Sequence, residues 1–206
     1  MGARFHVSAW LSHLRNPALP MLIAIGFLVM GSFVTIYNYI GFRLIEPPYN
    51  LSQTELGFIF TVYLFGIAAS WSAGRIGDRL GHFTMLPIAL AVEAAGCLLT
   101  LSASLPIIVG GIIFLTVGFF MSHSVASALV GRLALEIKGH ASSLYLLAYY
   151  LGSSIAGSAG GYFWTADGWW AVADFTFAML ALAFAAALAA AWFAREGQTD
   201  KPGLTF

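Results

Sequence analysis

Charge is what this chain has least of. Nine lysines and arginines and nine acids stand among 206 residues, 9% of the chain, where a soluble domain carries about 25%. So few charges cannot clothe the surface of a soluble domain of this size. Cysteine is almost absent too. Cys97 stands alone, which excludes an intrachain disulfide framework. The formal net charge is zero, so no basic field points to nucleic acid. What is present is apolar: 60% of residues are hydrophobic and the mean hydropathy is +0.85. The chain belongs in a bilayer.

Charge-free runs set the organisation: Ala18–Phe42, Leu56–Gly74, Ala94–Gly131, Ala141–Ala166 and Phe175–Ala194. A hydrocarbon core about 30 Å thick needs about 20 apolar residues per helix. The third run is too long for one span, and Ser102 to Pro106 break it. Six helices are expected, over 18–43, 54–74, 83–102, 105–130, 141–165 and 169–194. The expected class is an all-α membrane protein. Its parts are a cytoplasmic or interfacial segment 1–17, a six-helix transmembrane bundle 18–194 and a cytoplasmic tail 195–206.

An even number of spans puts both termini on one side, and basic residues choose the side. Arg4, Arg15, Arg75, Arg79, Arg132, Lys138, Arg195 and Lys201 all fall on the terminal face, and only Arg43 falls on the other. Both termini are therefore expected in the cytoplasm. Tyr49, Trp164, Trp169 and Trp170 would form an aromatic belt at the outer ends, where Arg43 and Glu46 would pair. Residues 1–17 lack the apolar core and cleavage site of a signal peptide. Val7, Trp10, Leu11 and Leu14 share one helical face, as in a short interfacial helix; a cytoplasmic linker is the alternative.

Two stripes of small residues run along the fifth helix: Gly152, Ala156 and Gly160, and Ser153, Gly157 and Gly161. They allow another helix to approach closely. The most specific stretch follows the second helix: Gly74-Arg75-Ile76-Gly77-Asp78-Arg79-Leu80-Gly81-His82. Its glycines permit a tight turn. Asp78 is expected to face a helix N-terminus, with Ser142 and Ser143 as caps nearby. Arg75 and Arg79 could reach Glu136.

The pattern Gly74-x-x-x-Asp78-Arg79-x-Gly81 resembles the cytoplasmic-loop signature of the major facilitator superfamily. In that family the loop joins the second and third helices of each six-helix half, which is its position here. His82 and Phe83 stand where further basic residues are common, a weakening typical of the second half of these transporters. Tyr37 to Arg43 looks like the seventh helix of efflux-type bacterial permeases, and Ser143 to Ser153 like their eleventh. The resemblance covers the chain from about residue 17. It implies half of a twelve-helix fold in a bacterial inner (plasma) membrane, working with a second six-helix half from a homodimer or a separate chain. It further implies a proton-coupled antiporter for a small molecule, with Gly74, Asp78, Arg79 and Gly81 as a conformational-switch loop. No cofactor is implied.

Polar groups within the spans supply the remaining candidates. Glu93 lies midway along the third helix, where an ionised acid costs about 2.5–3.5 kcal/mol on insertion scales. It reads either as a proton site or as a neutral acid hydrogen-bonded in the bundle. His123 has the chemistry for proton coupling, or for a structural hydrogen bond. Tyr37, Asn38, Tyr63, Met121, Tyr149 and Tyr150 would line an amphipathic substrate cavity suited to aromatic or cationic solutes.

Enzymatic readings fail on the residues. An intramembrane serine protease needs a serine with a histidine two helices on, and no histidine follows His140. The five histidines are scattered without metal-ligand spacing. The rival to a transporter is a six-helix membrane interaction or assembly protein, or a permease remnant.

Overall fold

The computed structural model describes residues 16–134 and 138–199. The expected interfacial helix at the N-terminus and Glu136 lie outside them. Helix α1, Ala18–Ile45, buries Leu22, Ile25, Val29, Phe33, Ile36, Ile40 and Leu44. These positions recur every three or four residues and form one helical stripe. Helices α2, Gln53–Phe60, and α3, Tyr63–Leu80, make one apolar length with a tight turn at Thr61 and Val62. Ser52 starts it. The Ser52 hydroxyl accepts the Glu55 N–H (3.3 Å), and the Glu55 carboxylate accepts the Ser52 N–H (2.8 Å). This reciprocal cap follows from the Ser-x-x-Glu spacing.

Helix α4 is His82–Leu99 and α5 is Leu105–Leu133. Pro106 stands in the first turn of α5, where a missing N–H breaks no helical bond. The last element, α6, Lys138–Thr199, contains non-helical Asp167 and Gly168. Gly168 has φ 58°, a conformation that favours glycine. Phe163 and Phe175 stack at 4.2 Å across this break, whereas an unbroken helix would hold them about 18 Å apart. The chain therefore reverses there, and α6 comprises two antiparallel spans. With α2 and α3 counted together, six spans result, as the charge-free runs indicated.

Close contacts set the arrangement. α1 runs parallel to the first span of α6: Phe27 meets Gly152, Gly31 meets Ala156 and Thr35 meets Gly160. The first small-residue stripe is thus the seat of α1. α3 and α5 also run parallel. Gly66 lies against Phe120, Ser70 bonds Ser124 (2.6 Å) and Asp78 bonds Arg132 (3.0 Å), the last two 54 residues apart and the first in the same register. α4 and α5 are antiparallel, with Gly96 against Gly111 and Leu115, and Gly118 against Ala89 and Glu93. Backbones this near leave no room for a side chain between them. Leu64, Ile67, Trp71, Leu98, Leu182 and Leu188 are exposed, a surface that suits lipid or another apolar partner.

At the end of the bundle away from the termini, Arg43 of α1 donates to the Thr100 carbonyl through Nη1 and to the Ser102 carbonyl through Nη2 (2.8 Å). Trp169 Nε1 also donates to the Thr100 carbonyl (3.2 Å). The last carbonyls of a helix have no intrahelical donor, and here another helix supplies it. Arg43 thus serves the end of α4, and the expected pairing with Glu46 is not among the ion pairs of the described residues.

Candidate functional site

α1, α3, α5 and the first span of α6 share a face built of rings. Phe33 and Tyr37, one turn apart on α1, lie 4.4 Å from each other, and Phe33 stacks on Phe119 at 3.9 Å. Tyr37 stacks on Phe60 (5.5 Å), and Tyr63 meets Phe120 edge-on (5.0 Å). Phe119 continues to Tyr149 (6.4 Å), which packs on His123 (4.6 Å) and on Tyr150 (5.3 Å). Aromatic pairs of this kind contribute about 0.5–1.5 kcal/mol each beyond burial. Tyr63 and Tyr150 are 44% and 62% exposed, so the stack opens onto the surface as a wall.

Polar groups in the wall are fixed in direction. The Thr116 hydroxyl donates to the Ile112 carbonyl (2.7 Å), so the Tyr37 hydroxyl, 2.7 Å from Thr116 Oγ1, is the donor to threonine. His123 Nδ1 lies 3.0 Å from the buried Tyr145 hydroxyl. Among the described residues no charged side chain joins these ring contacts.

The fold thus brings together Tyr37, Tyr63, His123, Tyr149 and Tyr150. Asn38 is exposed and lies beside Gly157 of the first span of α6. Met121 is turned about 160° from His123 around α5 and packs against the core. Glu93 lies elsewhere, fully buried between α4 and α5. The Ser122 hydroxyl donates to the Phe119 carbonyl (2.9 Å) and its oxygen lies 3.4 Å from Glu93 Oε2, while Oε1 has no hydrogen-bond partner. Ser122 and His123 are neighbours in sequence but serve different interfaces. Phe33, Phe60, Phe119 and Phe120 belong to the wall and escape a search for polar residues, and Thr116 and Tyr145 join it as the hydrogen-bond partners of Tyr37 and His123. Their signal was the spacing: Phe33/Tyr37, Phe119/His123 and Tyr145/Tyr149 are each one turn apart, where helical side chains meet.

The signature segment is mostly helix. α3 continues through Leu80, so Gly74, Asp78 and Arg79 are helical, and only Gly81 (φ 84°) makes the turn into α4. Gly77 faces the His82 ring. Asp78 pairs with Arg132 at the end of α5 (3.0 Å) and lies 3.8 Å from Nε2 of His82, the first residue of α4. Arg75 covers the Trp71 ring at 3.9 Å. Both members of the Asp78–Arg132 pair are more than half exposed, and such pairs are worth about 0–1 kcal/mol. Asp78→Asn is therefore expected to change stability by less than about 1 kcal/mol, read as an almost unmoved thermal midpoint in detergent. A larger loss would show that Asp78 holds the bundle together. Among the described residues no three histidine, cysteine, aspartate or glutamate side chains converge as metal ligands.

The family model of the Major Facilitator Superfamily matches residues 21–205. The chain belongs to the major facilitator superfamily. It is an integral multi-pass membrane protein, and its all-helical bundle fits one six-helix half of that fold. It is 47% identical over 171 residues to an inner membrane transport protein of Escherichia coli (strain K12), YnfM, covering 83% of this chain and 41% of that protein. It is 43% identical over 173 residues to an uncharacterized MFS-type transporter of Bacillus subtilis (strain 168), YybF, covering 84% and 43%. An uncharacterized transporter of Buchnera aphidicola subsp. Schizaphis graminum is 43% identical over 171 residues, covering 83% and 41%. The superfamily chain thus spans about two-fifths of the length of these curated relatives. No solved structure matches it.

Proposed function

We propose that this chain, through its bundle 18–194, is one half of a secondary active transporter that moves a small amphipathic solute across the membrane. A second six-helix half faces it, and the two rock against each other in alternating access. The observation that carries this reading is the uncharged aromatic wall, with Tyr63 and Tyr150 open to the surface. A ring wall with a few directed hydroxyls favours flat solutes that combine an apolar body with a hydrogen-bonding group. Membership of a family whose matched relatives are named as transporters supports it.

Transport is proposed to be efflux coupled to protons, in a bacterial inner membrane with both termini cytoplasmic. His123, held by Tyr145 at the wall, is the proposed proton carrier. Glu93, behind the wall between α4 and α5, is a second proton-binding group of the same cycle. Asp78 and Arg132, with the turn at Gly81, form the switch that separates and re-pairs as the halves rock. In the complete transporter, Asp78→Asn is expected to redistribute the inward- and outward-open states without unfolding either.

The test is flux in proteoliposomes that carry a trapped pH dye and an imposed proton gradient. A panel of phenols, aromatic amines and aromatic carboxylates is added outside. Solute-dependent proton movement is expected, abolished by His123→Gln and reduced about tenfold by Tyr149→Ala, the loss of about 1.4 kcal/mol of binding. The absence of such flux, from the chain alone and from the chain joined to a second half, would overturn the reading. The chain would then be a membrane assembly or interaction protein.

A further inference from the structure

The end of the bundle away from the termini carries a second feature, separate from the ring wall. A cleft of about 630 Å³ opens there, lined among others by Arg43, Glu46, Tyr49, Trp164, Trp169 and Trp170. Its volume falls within the range of about 300–1,000 Å³ found for small-ligand sites.

Arg43 carries the only positive charge in the lining. Its hydrogen bonds to the carbonyls of Thr100 and Ser102 and to the Tyr49 hydroxyl occupy three of its N–H donors. A guanidinium has five in all, so Nε and one Nη1 hydrogen remain without a bond among the described residues. Arg43 is half-buried, and the ion pairs of the described residues involve only Asp78 with His82 and Arg132. A half-buried charge without a counter-ion favours an anion beside it. Glu46 directly follows the last residue of α1, where the backbone turns extended (φ -85°, ψ 159°), and it is exposed and without an ion pair among the described residues. The cleft therefore offers a place for an anion and, close by, a place for a cation. Trp170 is 58% exposed, and indole faces attract ammonium groups.

We infer that this cleft binds the headgroup of a zwitterionic phospholipid, with the phosphate at Arg43 and the ammonium at Glu46 and the exposed tryptophan face. The surroundings point to a lipid rather than a dissolved solute. Phe42 and Ile45, on the same end of α1, are exposed at 49% and 37%, and Phe42 packs on Trp164 at 5.9 Å. They continue the cleft with apolar surface on which acyl chains can lie. Tryptophans also concentrate at the headgroup level of bilayers. The ligand would bridge α1 and the turn between the two spans of α6.

Native mass spectrometry of the full chain in detergent tests this, with phosphatidylethanolamine, phosphatidylcholine and phosphatidylglycerol added in turn. The two zwitterionic lipids are expected to be retained about fivefold more than phosphatidylglycerol, the effect of one ammonium contact. Glu46→Gln and Trp170→Ala, both at exposed positions, are expected to abolish that preference while circular dichroism stays unchanged. Equal retention of all three lipids, or a preference that survives both substitutions, would overturn the proposal. Displacement of bound lipid by an equal concentration of free glycerophosphoethanolamine would also overturn it, because the cleft would then be a vestibule for dissolved solutes.

Discussion

Gly152→Val is expected to destabilise the bundle by at least about 3 kcal/mol, near the top of the usual range for overpacking. A Cβ at position 152 would overlap the Phe27 carbonyl and lie 2.9 Å from the Phe27 Cα. Both neighbours are backbone, so no side chain can swing aside. α1 would have to lift from α6 along a seam that also seats Ala156 on Gly31 and Gly160 on Thr35. The measurement is an SDS-unfolding titration of the purified protein in mixed micelles. Gly74→Ala is the internal control. Nothing lies within 4 Å of a Cβ there, and alanine is favoured over glycine in a helix by about 1 kcal/mol. A wild-type unfolding curve for Gly152→Val would show that α1 and α6 are not packed as described.

Arg43→Ala is expected to have the second largest effect, a loss of about 3 kcal/mol from two charge-assisted hydrogen bonds. It would strip the Arg43 donors from the Thr100 and Ser102 carbonyls, leaving Trp169 Nε1 on Thr100. It would also remove the guanidinium from between the Tyr49 and Trp169 rings, which lie 5.6 and 5.5 Å from it. Lysine at this position is expected to restore less than half of the loss, because one ammonium is not a planar fork. The same titration reads both variants. Equal stability of Arg43→Ala and the parent chain would mean that water serves those carbonyls as well as arginine does.

Much of the fold was legible because lipid imposes a long-range constraint that composition records directly. A charge-free run of sufficient length has few alternatives to a spanning helix, so span positions and the Asp167–Gly168 reversal followed from counting. The small-residue stripe of α6 was legible for a similar reason: only close packing explains such a run of glycines and alanines. The faces of the helices were harder. Met121 is polarisable and so reads as a cavity residue, yet α5 turns it about 160° away from His123. Phe33, Phe119 and Phe120 were passed over because phenylalanine is unremarkable in an apolar chain, and only its spacing to Tyr37 and His123 marks it. Glycine and charge usually end a span, so the sequence places the end of the second helix at Gly74 and Asp78 in the loop beyond it. Here Ala69, Ala73 and Gly77 are buried in α3, and the helix runs on until Gly81.

The seam between α3 and α5 has a consequence for how such a chain can change over time. Its three contacts differ in chemistry: a glycine under a ring, a pair of hydroxyls and an ion pair. Because all three keep one register, each can be altered by substitution without disturbing the other two. Adding or removing a single residue between Ser70 and Asp78 is another matter. It would rotate everything beyond it by about 100° and swing Asp78 away from Arg132, while Ser70 and Ser124 stayed joined. The seam is forgiving of spelling and intolerant of spacing.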